Sequence, residues 1–193
     1  FSYAYSRGRG NTATGQADTI NSQFLDDLRL TGNEIGPTNV DRPHIVSLAA
    51  SYDVPRTRGL KVSGVVQARG GTPFSLIDTT FDADQNGLTA NEYLPAGTYS
   101  GTGEDAITVD YKGGRNGARG PNFLSVDFRA GYQIRMAGVR SLNLFVDVFN
   151  MTNEPNFANP SGDRRAAATF LKLTTIFNGG PTRTVQFNVR YGF

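Results

Sequence analysis

The chain has 193 residues and no cysteine, and its formal net charge of +2 is small for this length. The lack of cysteine excludes disulfide scaffolds, thiol nucleophiles and cysteine-ligated zinc sites, and so small a charge gives no reason to expect a nucleic-acid partner. No apolar run approaches the roughly 18 residues that a membrane-spanning helix needs, but this does not exclude a membrane β-barrel, whose strands alternate between polar and apolar residues.

The amino-terminal part predicts a strand end followed by a long polar segment. Aromatic residues at every second position predict a strand over residues 1–7. Because the chain opens inside this predicted strand, we expect it to be a piece of a longer protein. The polar segment covers 8–42, and within it residues 21–30 could form a short helical turn.

Regular alternation then predicts a hairpin. Residues 43–53 and 60–69 each place apolar side chains on one face, and the short turn at 54–59 would join them as antiparallel neighbours. A second long segment follows at 70–121 and is rich in Gly, Asp, Asn and Thr. Such a composition predicts a long loop.

The carboxyl-terminal part predicts a second hairpin and a closing strand. Alternation is cleanest at 124–134 and resumes at 142–149 after a short turn. A third long segment covers 150–183, within which 170–176 could extend a strand. The closing strand over 184–193 alternates as far as its last residue.

The lengths of the connections favour one fold class. Both short turns fall at the same end of the predicted strands as the carboxyl terminus, and the three long segments fall at the other end. Loops this long are uncommon in compact soluble domains, whereas outer-membrane barrels combine long extracellular loops with short periplasmic turns. We therefore predict an all-β fold, an antiparallel transmembrane β-barrel segment of about six strands. A soluble β-sandwich shows the same alternation and remains the alternative.

Aromatic residues and charges support the membrane interpretation. Tyr52, Tyr132 and Tyr191 fall on the apolar face near the short turns, where an interfacial aromatic belt is expected. The opposite face carries polar side chains that would line a lumen. Pairing the two cleanest strands across their turn places Arg129 opposite Asp147, which predicts a lumenal ion pair.

One segment has the pattern of a calcium loop. Asp82, Asp84 and Asn86 provide oxygen ligands at alternate positions, and the glycine that follows them would allow the sharp turn. The closing carboxylate is out of register, because Glu92 stands one residue before the expected position. A solvated turn in a surface loop is the alternative interpretation.

No pattern for catalysis can be assembled. The glycine-rich run 113–120 lacks the lysine and the strand-to-helix context of a phosphate-binding loop, so a flexible loop is the better interpretation. His44 is the only histidine, so neither a histidine-based triad nor a histidine-rich metal site is available. We therefore expect the chain not to be an enzyme and to need no cofactor other than the calcium considered above.

Several runs occur in the order in which they appear in one protein family. They are 41–55 (DRPHIVSLAASYDVP), 70–74 (GGTPF), 114–116 (GRN) with 119–121 (RGP), 144–153 (LFVDVFNMTN) and the terminal Phe193. Across nearly its whole length, the chain resembles the last third of the barrel of a TonB-dependent outer-membrane receptor. The Oar-like branch of that family is the most similar.

This resemblance implies a wall of 22 strands, of which residues 1–193 would supply the last six, with the plug and the earlier strands elsewhere. It implies uptake of a scarce solute across a Gram-negative outer membrane, with the carboxyl terminus on the periplasmic side. The implied partners are outer-membrane lipid, the rest of the barrel and plug, TonB, and the barrel-assembly machinery. That machinery would recognise the closing strand through alternate residues, which are Phe187, Val189, Tyr191 and Phe193.

Two other functions are compatible with the sequence. A barrel of the same architecture could serve adhesion or envelope structure without transport. A soluble β-sandwich binding module is the second alternative.

Overall fold

The structure is a computed structural model that describes residues 1–10, 35–80, 82, 85, 92–177, 180 and 182–193. Within these ranges, no helical segment has the length and hydropathy of a transmembrane span. The helical turn considered at 21–30 lies outside the described residues. The strands are β1 (Ser2–Tyr5), β2 (Arg9–Gly10), β3 (Gly36–Pro37), β4 (His44–Asp53), β5 (Leu60–Arg69), β6 (Pro73–Phe74), β7 (Gly97–Ser100), β8 (Thr108–Tyr111), β9 (Ala118–Arg119), β10 (Phe123–Arg135), β11 (Ser141–Phe149) and β12 (Thr184–Gly192).

The long strands form one antiparallel sheet, which we call the wall. It has six strands in the order β1-β4-β5-β10-β11-β12. Both predicted hairpins are confirmed, since β4 pairs with β5 and β10 pairs with β11. The all-β class is confirmed as well. The short turns lie at one end of the wall, and the long connections start and finish at the other.

The register gathers the alternating apolar positions of neighbouring strands on one face of the wall. Val66 lies opposite Leu48 on one side and opposite Val126 on the other. Val146 likewise lies opposite Phe187 of β12. Because paired residues in a sheet point to the same face, the apolar residues of all six strands form one continuous surface. Large side chains on it are open to the surroundings, with Phe187 76% exposed.

The buried core lies in the long connections and not against the wall. We call the described residues of 6–43, 70–122 and 150–183 the cap. Its small strands pair locally, β2 with β3, β6 with β9, and β7 with β8. One cluster of buried apolar side chains fills the cap, namely Phe74, Leu76, Leu94, Val109, Tyr111, Ala118, Phe170 and Leu171.

The strand extension considered at 170–176 is wrong. This segment makes isolated bridges, from Phe170 to Ser161, from Lys172 to Ala106 and from Ile176 to Phe157. Phe170 and Leu171 are consecutive, yet both are buried in the cap cluster, and Leu171 has a φ of 55°. Consecutive side chains of a strand point to opposite faces, so a strand could not bury both in one cluster.

Two glycines permit a close backbone approach inside the cap. Pro73 of β6 lies opposite Arg119 of β9, which brings the segment before β6 against the segment after β9. A Cβ on Gly71 would lie 1.9 Å from the carbonyl oxygen of Gly120. Any larger residue at position 71 would therefore separate the two segments.

Candidate functional site

The polar face of the wall carries an ion pair at its centre. Arg129 and Asp147 are Cα partners between β10 and β11, and the guanidinium contacts both carboxylate oxygens, with 3.0 Å between Nη2 and Oδ2. Asn188 of β12 donates a further hydrogen bond of 2.8 Å to Asp147. Two-point pairing of this kind fixes the geometry of both side chains. The residues are thus as close as the sequence register required, while the placement of the pair in a lumen stays a prediction.

Aromatic packing supports the ion pair. The guanidinium carbon of Arg129 lies 5.4 Å from the centroid of the Phe145 ring. Phe145 belongs to the polar face of β11, so it forms an apolar platform beneath the charge. Asp147 is only 3% exposed, and its carboxylate is fully engaged with Arg129 and Asn188.

A second carboxylate on this face forms a hydrogen bond that links the cap to the wall. Asp127 of β10 accepts hydrogen bonds from the Ser125 hydroxyl at 3.0 Å and from the backbone N–H of Asn150 at 2.8 Å. Asn150 follows β11, and its side chain bonds both the N–H and the carbonyl of Glu154. The third long connection therefore leaves the wall in a defined direction.

A buried amide continues the hydrogen bonding of the wall. Asn156 is 2% exposed, and its side chain accepts from the N–H of Leu124 at 2.7 Å and donates to the carbonyl of Leu124 at 2.9 Å. These are the two bonds that a neighbouring strand would make. The Asn156 side chain thus supplies hydrogen-bond partners for the backbone of β10 at a position that is no longer paired with β11.

An ion pair joins the first and second long connections. Arg119 contacts the Asp41 carboxylate and also donates to the carbonyls of Asp41 and Gly71. Burial alone raises the pKa of Asp41, but hydrogen bonds from Arg119 and from the backbone N–H of Gly8 outweigh it and lower the pKa below its usual value. Asp41 is therefore held as a carboxylate.

A cavity of about 650 Å³ opens in the cap between these two connections. It is lined by residues of β2, β3, the segment before β7 and the glycine-rich run that follows β8. Among the described lining residues there is no carboxylate, and four are basic: Arg9, Lys112, Arg115 and Arg119. A volume of this size is within the range of sites for small molecules. The cavity is the best candidate for a small-molecule site in the described part of the cap.

The calcium loop cannot be assembled from the described part of the chain. Asp82 lies within the described ranges, but the other two candidate ligands, Asp84 and Asn86, lie outside them. Among the described residues, no group of three or more His, Cys, Asp or Glu side chains could hold a metal ion. Calcium binding at this loop stays a prediction.

The four residues considered as an assembly signal lie on the edge strand β12 or directly after it. Phe187, Val189 and Tyr191 share the apolar face, and the Tyr191 ring lies 6.3 Å from the Phe193 ring. Phe193 is 95% exposed. Recognition by the assembly machinery stays a prediction.

Few local patterns in the sequence point to the residues that organise the cap. Asn116 illustrates why, since its side chain donates to the Pro37 carbonyl at 2.7 Å across 79 residues of sequence. Asn156 and the Asp41–Arg119 pair also join distant segments. The one local signal was the pair of glycine motifs around Gly71 and Gly120, which the structure brings into contact.

Comparison with known protein families gives a match over nearly the whole chain. No curated protein and no solved structure shows a significant match to the chain. The family model described as an outer membrane beta barrel domain matches residues 1–186, which is nearly the entire sequence. This match agrees with the antiparallel wall and with its exposed apolar face, and it indicates location in the outer membrane. The chain belongs to the outer membrane beta barrel domain family.

Proposed function

We propose that the chain forms part of a TonB-dependent transporter that takes up a scarce solute across the outer membrane of a Gram-negative cell. The runs at 41–55, 70–74 and 144–153, which resemble TonB-dependent receptors, support this assignment. The wall has six strands, whereas the smallest single-chain membrane barrels have eight. Further strands would therefore pair with β1 and β12 to close the barrel, with 22 strands in all if the resemblance holds.

The cap is the observation that carries this proposal. Three long connections leave the same end of the wall. The second and third share an apolar core, and hydrogen bonds such as that from Asn116 to Pro37 join the first to the second. The cavity of about 650 Å³ lies within the cap. On this proposal the cap faces the outside of the cell and captures the solute, whereas the short turns and the carboxyl terminus face the periplasm.

The polar face of the wall would then line the barrel interior. A plug domain would sit against this face, near the Arg129–Asp147 pair. TonB would supply energy through the plug, and the barrel-assembly machinery would act on the closing strand. The function is binding and translocation without catalysis, and it needs no cofactor.

Solute accumulation in cells tests this proposal. We would compare wild-type cells, cells lacking the gene and cells lacking TonB, using a panel of radiolabelled sugars, peptides, vitamins and metal chelates. We expect at least one solute to be lost in both mutants and to be restored by the wild-type gene. Accumulation that is normal in both mutants, or that needs the gene but not TonB, would contradict energised transport.

A barrel used for adhesion or envelope structure is the second candidate. The packing of the cap favours it, because Leu76 and Leu171 are both 0% exposed, and such a core would hold the outer surface of the cap in a stable shape. This candidate predicts that loss of the gene weakens cell adhesion or the envelope even when TonB is absent. Loss of solute uptake with normal adhesion would exclude it.

A further inference from the structure

The glycine-rich run that lines the cap cavity folds back on itself as a hydrogen-bonded turn. Lys112 donates its N–H to the Gly117 carbonyl at 3.0 Å, and the Tyr111 hydroxyl donates to the Gly114 carbonyl. Gly113 and Gly114 have φ values of 80° and 66°, which glycine adopts without strain. The backbone of this turn is therefore held in one shape at the edge of the cavity.

The turn is also fixed to the opposite side of the cavity. The Asn116 side chain donates at 2.7 Å to the Pro37 carbonyl and to Oδ1 of Asn39. A Cβ on Gly36 would lie 1.9 Å from the carbonyl oxygen of Arg115, so β3 packs directly against the turn. Arg115 is only 8% exposed. These contacts between distant segments build the cavity from the protein alone.

The charge of the lining is positive. Of its four basic residues, Arg119 is paired with Asp41, whereas Arg9, Lys112 and Arg115 add their charges to a lining in which no described residue is acidic. Two charges of one sign in the same cavity repel each other, and an anion between them would relieve this repulsion.

The three cations belong to elements that contact one another at β3. Arg9 of β2 donates to the carbonyl of Ile35 at 3.3 Å, next to Gly36, and Gly36 in turn packs against Arg115. Lys112 precedes Arg115 on the same turn. The positive charge is thus gathered around the cavity by the tertiary structure, although Arg9 and Arg115 are distant in sequence.

Much of the remaining lining is apolar. Leu94 is 6% exposed and belongs to the core of the cap, and Pro95 and Ala96 follow it along the cavity. Ile35, at the other side, is 48% exposed. A ligand that fills this cavity would therefore contact both cationic and apolar groups.

We propose that the cap cavity binds a small organic anion that carries two negative charges on carboxylate or phosphate groups and has an apolar body. Guanidinium groups bind the oxygens of either group through two-point hydrogen bonds, and an ammonium group binds them as a point charge. A neutral solute would displace water from the cations without replacing its hydrogen bonds, which costs free energy. The inference rests on the proposed function, because it names the class of solute that the transporter would capture.

Binding to the complete protein tests the proposal. The protein is produced from its whole gene, extracted from outer membranes in a neutral detergent, and titrated by calorimetry with phthalate, phenyl phosphate or the neutral phthalyl alcohol. We expect phthalate, phenyl phosphate or both to bind at least ten-fold more tightly than phthalyl alcohol, which has the same ring without the charges. Added salt should weaken the binding of the dianions.

Substitutions locate the site. Arg9→Gln together with Lys112→Gln should weaken dianion binding about ten-fold, because two of the cations are lost. Arg164→Gln together with Arg165→Gln is the matched control, since it removes the same charge from exposed positions of the cap outside the cavity. It should leave the affinity unchanged. Far-UV circular dichroism checks that each variant is folded.

Three results would overturn the proposal. The first is that neither dianion binds, and the second is that phthalyl alcohol binds as tightly as phthalate. The third is an equal loss of affinity in the control and in the cavity variant, which would indicate a diffuse positive surface without a site. Because these titrations need neither TonB nor uptake, their failure is distinguishable from failure of the proposed transport, which the accumulation assay in cells measures.

Discussion

The wall and the cap use the same types of apolar residue in opposite ways. In the wall, Phe187 is 76% exposed and Val189 is 70% exposed, although both lie in a regular strand. In the cap, Leu76 and Leu171 are 0% exposed, although most of the cap is irregular. The difference follows from the solvent. Lipid covers the apolar face of an outer-membrane barrel, whereas cap residues in water must bury their apolar surface against one another.

Polar groups are also satisfied differently in the two regions. On the wall, charged side chains pair across neighbouring strands, as Arg129 does with Asp147. In the cap, asparagine side chains such as Asn116 and Asn156 bond backbone groups that lack a strand partner. Irregular backbone leaves unpaired N–H and carbonyl groups, which an amide can satisfy on both sides.

The largest expected effect is the loss of stability of the cap when its apolar core is disturbed. Leu76→Ala should destabilise the cap by about 2–5 kcal/mol, because it leaves a cavity in a fully buried cluster. The wall should keep its hydrogen bonding. Hydrogen exchange of the protein in detergent, measured segment by segment, checks both expectations.

Val139→Ala is the matched control, since Val139 is 89% exposed in the turn after β10. It should change stability by less than about 0.5 kcal/mol. If Leu76→Ala exposes the strands of the wall as much as the cap, then the two regions are not separate folding units.

The next effect tests which face of the wall meets lipid. Leu48→Lys should cost about 2–4 kcal/mol in a bilayer, because the lysine would lie in the apolar surface near the middle of β4. Ser47→Lys, one residue earlier, points to the opposite face and should cost far less. Urea titrations of the protein folded into vesicles measure both. Equal costs would contradict the assignment of the faces.

The ion pair on the polar face should have a smaller effect. Removing one partner costs about 1–2 kcal/mol, since Arg129 is 53% exposed and solvent screens the pair. A double-mutant cycle with Arg129→Gln and Asp147→Asn should give a coupling energy of about 1 kcal/mol. A coupling energy of zero would mean that the two side chains do not interact in the membrane.

The smallest effect concerns acid and the cap alone. The pKa of Asp41 is lowered in the folded state, so its contribution to stability is fully present above its unfolded value of 3.8 and is lost as the pH falls through the folded value. Protease protection of the cap should therefore weaken below about pH 4. Asp41→Asn should weaken protection at neutral pH and remove this part of the acid dependence. An acid response that is identical in both proteins would assign it to other groups.

Much of the wall is determined by the sequence itself. Alternation with period two places Leu48, Val66 and Val126 on one face wherever the strands pair, and the short turns leave little freedom in register. For the same reason the position of Arg129 opposite Asp147 could be worked out without coordinates. The difference in length between the connections on the two sides also identified the class of protein to which the family match assigns the chain.

The arrangement of the cap, in contrast, depends on tertiary contacts that the sequence does not reveal. Its core joins Leu76 and Tyr111 of the second connection to Leu171 of the third, and no local period indicates which residues of an irregular segment will be buried. Residues 170–176 show this, because their apolar pattern suggested a strand while burial in a shared cluster required a bend. The unequal reach of the two hairpins is likewise visible only in the structure, since β10 pairs with β11 beyond the point where its pairing with β5 ends. Strand alternation depends on neighbours in sequence, whereas burial and cavities depend on contacts between distant segments.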